Sequence, residues 1–139
     1  MQASRACDAA SLAESELRMP ARSSELGVAR QYAADAAAAF GLDADDCYDF
    51  VVAANEAVTN AIRHGAPDEQ GLIHLSTVAD ADRLTFAVRD CGTFVMPARN
   101  CAMSPEHGRG LALMAGLVDE VLLEIGPAGT NIRLSTARS

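Results

Sequence analysis

The sequence predicts one α/β domain in which helical and extended segments alternate along the chain. A chain of 139 residues with 50 % hydrophobic content is long enough for one sizeable core and too short for a second full domain. Its first half carries apolar residues at helical spacing, and its second half carries runs of alternating apolar and polar residues. We expect a flexible N-terminal tail over residues 1–14 and a folded domain over residues 15–136.

The first predicted elements are an edge strand and a helix. Residues Glu16 to Ala21 are predicted to be extended, and Pro20 restricts this strand to the edge of a sheet. Ser23 or Ser24 can cap the helix that follows, and Gly41 suits its C-terminal end. The apolar residues that repeat at helical spacing in this helix are Leu26, Ala29, Ala33, Ala36 and Phe40.

A second helix is predicted between the aspartates at positions 43–46 and Gly65. Aspartate is favoured at the positive N-terminal end of a helix, and glycine is favoured at the other end. Glu56 and Asn60 lie one turn apart, about 40° around the helix axis, so their side chains are neighbours. Both face away from the apolar stripe. That stripe consists of Cys47, Phe50, Val51, Ala54, Val58, Ala61 and Ile62.

Two strands are predicted next, over residues 72–78 and 84–90. In the second strand Asp90 has the same alternation phase as Phe86 and Val88, which places a carboxylate on the apolar face. Burying a charge is costly unless the charge is paired. Asp90 therefore needs a partner, and the amine of a ligand is one candidate.

The rest of the chain is predicted to contain a connection, a helix and a hairpin. Residues 93–107 show no period and include two prolines, which is typical of a mobile connection over a site. Gly108 and Gly110 are expected to lead into the helix. Residues 121–125 and 131–135 are predicted to form the hairpin.

Composition excludes several classes of function. The formal net charge of −8 argues against nucleic acids and anionic membranes as partners, because both attract clustered Lys and Arg. All eleven basic side chains are arginine. A Walker phosphate loop, an ordinary protein kinase and a pyridoxal Schiff base each require a lysine, so these three are excluded. A bound phosphate would have to be held by glycine backbone and Mg²⁺.

The four cysteines are predicted to be free thiols in a reducing cytoplasm. They show no CxxC spacing, and the first twenty residues lack the apolar core of a signal peptide. A disulfide between Cys91 and Cys101 is the alternative.

No apolar run approaches the ~20 residues that span a bilayer. The spacing of His64, His74 and His107 does not match a zinc site.

Two short motifs have the chemistry of a phosphate and metal site. Glu56 and Asn60 can meet over one helical turn, and an amide oxygen is a suitable ligand for Mg²⁺; a solvated polar helix face is the alternative. Gly108 and Gly110 let backbone N–H groups approach phosphate oxygens, and a simple entry into a helix is the alternative. Arg109 either reaches the γ-phosphate or is solvated.

Two further motifs have the chemistry of a base pocket. Asp90 can accept a hydrogen bond from an exocyclic amine while Gly92 lets the chain turn tightly past the base; an ordinary β-turn is the alternative. Thr130 shares a strand face with Ile132 and Leu134. Its hydroxyl can therefore join Asp90 in a buried polar network, or Thr130 is simply a good strand residue.

Taken in order, these segments resemble the N, G1, G2 and G3 boxes of the histidine-kinase-like (GHKL) ATPase superfamily. The four segments are Glu56-Ala-Val-Thr-Asn60-Ala-Ile-Arg-His64-Gly65, Asp90-Cys-Gly92, Gly108-Arg109-Gly110-Leu111 and Gly129-Thr130. The chain looks most like the anti-sigma-factor serine/threonine kinases of bacterial partner switching. The resemblance implies a two-layer α/β (α+β) sandwich, with a mixed, mainly antiparallel sheet and helices on one face.

The resemblance also implies roles for individual residues. Glu56 matches the catalytic carboxylate of the family, and Asn60 matches its Mg²⁺ ligand. Asp90 would recognise the adenine amine with support from Thr130. The other residues that the resemblance places around ATP are His64, Gly92, Gly108, Arg109, Gly110 and Leu111.

The function implied by the resemblance is that of an anti-sigma factor with ATP-dependent serine/threonine kinase activity. Its substrate would be an anti-anti-sigma (STAS-type) partner, and in the unswitched state it would hold a sigma factor. A homodimer is also implied. The alternative is a nucleotide-gated protein-interaction module that binds ATP or ADP with little or no kinase activity.

Overall fold

The computed structural model describes residues 13–91 and 105–137, with residues 105–109 described by their backbone alone. Within these residues, eight main elements follow one another. They are β1 (Ala13–Pro20), α1 (Leu26–Phe40), α2 (Ala44–His64), β2 (Leu72–Ala79), β3 (Arg83–Asp90), α3 (Pro105–Leu117), β4 (Glu120–Gly126) and β5 (Gly129–Ala137). A short 3-10 turn, Ser23–Glu25, precedes α1.

The described strands form a five-stranded sheet in the order β1-β2-β3-β5-β4. Each pairing between the described strands is antiparallel. The buried apolar side chains of the strands point to the face on which the helices pack, and the side chains that alternate with them form the other, more polar face. This arrangement confirms the predicted α/β fold class, with antiparallel pairing throughout the described sheet.

β1 begins earlier than the sequence suggested. Extended structure starts at Ala13, so Ala13 and Glu14 belong to the sheet and not to the predicted tail. The strand ends at Pro20, and β1 lies at the sheet edge as the proline predicts. The remainder of the predicted tail lies outside the described residues.

The ends of α1 differ in how well the sequence predicted them. Neither Ser23 nor Ser24 caps the helix, because both lie in the 3-10 turn, and Glu25 at the N-cap makes no side-chain capping bond in this part of the chain. Gly41 ends the helix as predicted. Its φ of 97° is in the left-handed region, and its N–H donates to the carbonyls of Ala37 and Ala38.

α2 is the helix that carries most of the candidate site. It is capped by Asp43, whose carboxylate accepts from the backbone N–H of Asp46 at 2.8 Å, and it ends at Gly65. Its small side chains allow close packing on α1 and on the sheet. The buried residues of α2 are Phe50, Ala53, Ala54, Ala57, Val58 and Ala61.

α3 corrects one prediction. The helix begins at Pro105, so Gly108 and Gly110 lie inside its first turns and do not precede it. Proline suits a first helical position because its missing N–H would have no helical acceptor there. The expected connection over residues 93–107 therefore includes helical residues at its C-terminal end, and its earlier part lies outside the described residues.

The aromatic centre of the core gives a direct test of the fold. Phe86 is fully buried and packs edge-to-face on Phe50 at a centroid distance of 6.2 Å. We expect Phe86→Ala to lower the free energy of unfolding by about 3–5 kcal/mol, measured by urea denaturation. Val78→Ala, on the outer sheet face, should cost about 1 kcal/mol or less. Equal losses in the two variants would contradict this assignment of the core.

Within the described residues, no helix is both long and apolar enough to cross a bilayer.

Candidate functional site

The centre of the candidate site is a buried carboxylate at the end of β3. Asp90 is only 5 % exposed and continues the buried row of Leu84, Phe86 and Val88, as its phase predicted. Thr130 is its direct partner in the antiparallel pairing of β3 with β5. Directly paired residues point to the same face of a sheet, so the Thr130 side chain lies on the face that carries the Asp90 carboxylate.

The end of α2 closes tightly over this carboxylate. A Cβ atom added to Gly65 would lie 2.4 Å from Oδ2 of Asp90 and 2.7 Å from the carbonyl oxygen of Ala61. The next residue, Ala66, donates its backbone N–H to Oδ1 of Asp90 at 3.4 Å. Its carbonyl accepts from the N–H of Cys91 at 2.9 Å. The φ of Gly65 is −94°, which any residue can adopt, so backbone conformation does not explain the glycine. Glycine is required because a side chain at this position would collide with Asp90.

A second cluster joins the middle of α2 to α3. A Cβ atom added to Gly110 would lie 3.2 Å from Nδ2 of Asn60 and 3.4 Å from Oε1 of Glu56. The Glu56 carboxylate and the Asn60 amide therefore both lie next to the buried backbone of Gly110. The structure brings together these three predicted residues from two separate motifs.

The two clusters lie along one helix. Asn60 is about one turn before His64 and Gly65, so α2 fixes the distance between the amide near α3 and the carboxylate of Asp90. His64 is exposed in the last turn, where a basic side chain is favoured by the helix dipole. Leu111 is half-buried and packs on the core behind Gly110.

The remaining predicted residues are only partly described. Gly108 and Arg109 lie in α3. Gly92 lies outside the described residues. Cys91, beside it, is an exposed free thiol.

An open concavity lies next to the end of β3. It has a volume of about 570 Å³, and its lining includes Cys91 and the loop that follows α2. The loop residues in its wall are Pro67, Asp68, Glu69 and Gln70. This loop is the same segment whose Ala66 backbone contacts Asp90 and Cys91, so its conformation is linked to that of the carboxylate.

Asp68 holds this loop in place. Its Oδ1 accepts from the N–H groups of Gln70 at 2.8 Å and Leu72 at 3.0 Å, and its Oδ2 lies 2.9 Å from Nε2 of His74. The hydrogen bond with the His74 ring is the main cause that lowers the pKa of Asp68 to about 2, followed by the bond from Leu72. Sequence reasoning missed this residue, although the spacing of Asp68 and Gly71 is typical of a turn.

The lowered pKa of Asp68 predicts a pH effect on stability. A carboxylate whose pKa falls on folding stabilises the protein above its unfolded pKa, near 4, and this contribution disappears as the pH falls towards about 2. Asp68→Asn should therefore flatten the dependence of the urea midpoint on pH between about 4 and 2. Glu69→Gln, in the same loop, serves as the control. If the urea midpoint of Asp68→Asn changed with pH as steeply as that of the wild type, the lowered pKa of Asp68 would not be the cause of the pH effect.

The donor set of the site fits a magnesium nucleotide. Mg²⁺ needs oxygen ligands, retains water and is commonly held by one or two protein oxygens together with phosphates. The Asn60 amide next to the Gly110 backbone can supply such an oxygen. In the described part of the chain, His, Cys, Asp and Glu form no group of three or more that could hold a metal ion without a ligand's help.

Comparisons with known proteins identify the family of the chain. The family model described as the histidine kinase-like ATPase domain matches residues 19–136. The chain is 32 % identical over 123 residues to the serine-protein kinase RsbW of Bacillus licheniformis, covering 79 % of this chain and 77 % of that protein. It is 35 % identical over 118 residues to RsbW of Halalkalibacterium halodurans, covering 76 % of this chain and 72 % of that protein.

A solved structure has the same fold. The crystal structure of the RsbU and RsbW domains of Rv1364c from Mycobacterium tuberculosis aligns with a TM-score of 0.67 at 24 % identity. The alignment covers 90 % of this chain and 33 % of that one. The family match, the RsbW relatives and this shared fold show that the chain belongs to the histidine-kinase-like ATPase superfamily and, within it, to the anti-sigma-factor serine/threonine kinase family.

Proposed function

We propose that the protein is an anti-sigma factor with ATP-dependent serine/threonine kinase activity toward an anti-anti-sigma partner of the STAS type. The observation that carries this proposal is the meeting of Glu56 and Asn60 at the backbone of Gly110, on the same helix that closes over Asp90. The proposal assigns Glu56 the role of catalytic carboxylate, Asn60 that of metal ligand and Asp90 that of the base-recognising carboxylate. The family of the chain supplies the substrate class.

Recognition of ATP is proposed to begin at Asp90. Its buried carboxylate can accept a hydrogen bond from the exocyclic amine of adenine, an interaction that offsets part of the cost of burying the charge. Thr130 lies beside it with a hydroxyl that can donate or accept. GTP has a carbonyl where ATP has the amine, so the same carboxylate disfavours it.

The phosphate end of the nucleotide is proposed to lie between α2 and α3. Asn60 would hold Mg²⁺ through its amide oxygen, and the backbone of Gly108 and Gly110 would approach the phosphate oxygens without side-chain obstruction. Mg²⁺ supplies neutralisation of phosphate charge when it is bound. Arg109 lies between these two glycines in the sequence, and its guanidinium would contact the γ-phosphate.

Phosphoryl transfer is proposed to use Glu56 as the base. The hydroxyl oxygen of the partner's serine or threonine forms a bond to the γ-phosphorus of ATP while the bond to the β–γ bridging oxygen breaks and ADP leaves. Glu56 orients the hydroxyl and accepts its proton. The carboxylate is half-buried beside the Gly110 backbone, which limits the positions it can adopt.

We also propose that the protein binds a sigma factor in the unswitched state and acts as a homodimer. Membership of the histidine-kinase-like ATPase family and similarity to RsbW support this proposal. Sedimentation equilibrium tests the dimer. A single species with the mass of one chain at micromolar concentration would reject it.

The kinase proposal is tested with purified components. The protein is mixed with Mg²⁺, γ-³²P-labelled ATP and each STAS-type protein encoded near its gene, and phosphorylation is followed by autoradiography and mass spectrometry. We expect one partner to become labelled on a serine or threonine. Measurable ATP binding without label on any partner would reject the kinase activity and favour the nucleotide-gated interaction module.

A further inference from the structure

One exposed aliphatic side chain lies in the same row as the proposed base-recognising residues. The sheet register places Asp90 opposite Thr130, and it places Thr130 opposite Ile125 on the neighbouring strand β4. Directly opposed residues of an antiparallel sheet point to one face with their Cβ atoms about 5 Å apart. The three side chains therefore form a row across β3, β5 and β4 on the helix-facing side of the sheet.

Ile125 differs from the other residues of β4 on this face. Val121 and Leu123 are half-buried and pack on the core, whereas Ile125 is 41 % exposed. The exposed side chain adjoins Thr130 and is two positions along the row from the buried Asp90. The row therefore changes from the polar side chains of Asp90 and Thr130 to the exposed apolar side chain of Ile125.

We propose that Ile125 contacts the purine ring of the nucleotide and forms the apolar floor of the base pocket. A purine presents polar atoms at its edge and apolar faces, so a site that holds the exocyclic amine also needs an apolar surface for the ring. Two strand spacings separate Asp90 from Ile125, about 10 Å. That distance accommodates a hydrogen bond at Asp90 and a purine that extends over Thr130 to Ile125. The inference rests on the proposed function, because it names one contact of the proposed ATP site.

β4 offers a matched control on its other face. Leu122 is 47 % exposed, similar to Ile125, and it lies opposite Arg133 on the outer face of the sheet. A substitution at either position removes a comparable amount of exposed aliphatic surface from the same strand. Only the one at Ile125 lies on the face of Asp90 and Thr130.

The test compares nucleotide affinities by calorimetry in the 139-residue protein. Ile125→Ser should weaken ATP and ADP binding equally, by about tenfold, because both share the base that loses its apolar contact. Ile125→Val should weaken binding by about twofold. Leu122→Ser should bind both nucleotides as the wild type does. Melting temperatures without nucleotide establish that the variants are folded.

A direct contact is measured by NMR with methyl-labelled isoleucine and leucine. We expect nuclear Overhauser effects between the Ile125 methyl groups and the adenine ring protons in the complex with Mg·ADP, and none from Leu122. Wild-type ADP and ATP affinity in Ile125→Ser, or equal weakening in Leu122→Ser, would overturn this inference while ATP binding by the wild type still stands. A wild-type protein that binds no ATP would overturn the proposed function and this inference together.

Discussion

Gly65→Ala is expected to lose ATP binding by at least about 100-fold and to destabilise the fold by about 1–3 kcal/mol. The added Cβ atom would lie 2.4 Å from Oδ2 and 2.5 Å from Cγ of Asp90, and 2.7 Å from the carbonyl oxygen of Ala61. The last contact is with the backbone of α2, so the helix end cannot move away freely. The carboxylate must therefore leave its buried position, and the proposed contact with the adenine amine is lost with it.

Calorimetry with Mg·ATP and urea denaturation measure the two effects separately. Gly116→Ala is the matched control, because it makes the same substitution in α3 with no atom within 4 Å of the new Cβ. This control should bind ATP normally and gain up to about 1 kcal/mol of stability, since alanine is the better helix former. Wild-type ATP affinity in Gly65→Ala would show that Asp90 does not recognise the base.

Glu56→Gln is expected to abolish phosphoryl transfer while leaving nucleotide binding nearly unchanged. The glutamine keeps the size and the position of the side chain near Gly110, but it cannot accept the proton of the partner's hydroxyl. Loss of a positioned general base lowers the rate by about 10²- to 10⁴-fold. Single-turnover labelling of the partner with γ-³²P-labelled ATP measures this rate, and calorimetry measures ADP affinity.

Asp49→Asn provides the control for Glu56→Gln. Asp49 lies on α2 about two turns before Glu56, on the same side of the helix, and its substitution removes the same charge from the helix. The Asp49→Asn variant should phosphorylate the partner at the wild-type rate. Full regulation of the partner by Glu56→Gln in the absence of transfer would instead identify a nucleotide-gated interaction module.

Local sequence rules predicted the features of this fold that depend on neighbours along the chain. Gly41 ends α1, α2 begins among the aspartates at positions 43–46, and Asp90 has the phase of the buried residues in β3. Each of these follows from capping chemistry or from alternation over a few residues. The start of α3 was misplaced because glycine favours helix ends, whereas Pro105 fits the first helical position better.

Features that depend on contacts between distant segments could not be predicted in this way. Gly65 has the sequence pattern of an ordinary helix end, and only the position of β3 shows that a side chain there would collide with Asp90. The role of Asp68 depends on His74 from the next strand. Ile125 becomes part of the candidate site only through the register of β4 with β5. Strand register is set by the whole sheet, so no single segment contains it.

The structure of the protein with Mg²⁺ and a non-hydrolysable ATP analogue tests the central claim most directly. We predict that the exocyclic amine of adenine lies within hydrogen-bonding distance of the Asp90 carboxylate. In the same complex, the amide oxygen of Asn60 should coordinate the Mg²⁺ that contacts the phosphates. A nucleotide bound elsewhere on the protein, or one whose phosphates lie away from Asn60 and Gly110, would contradict the proposed site.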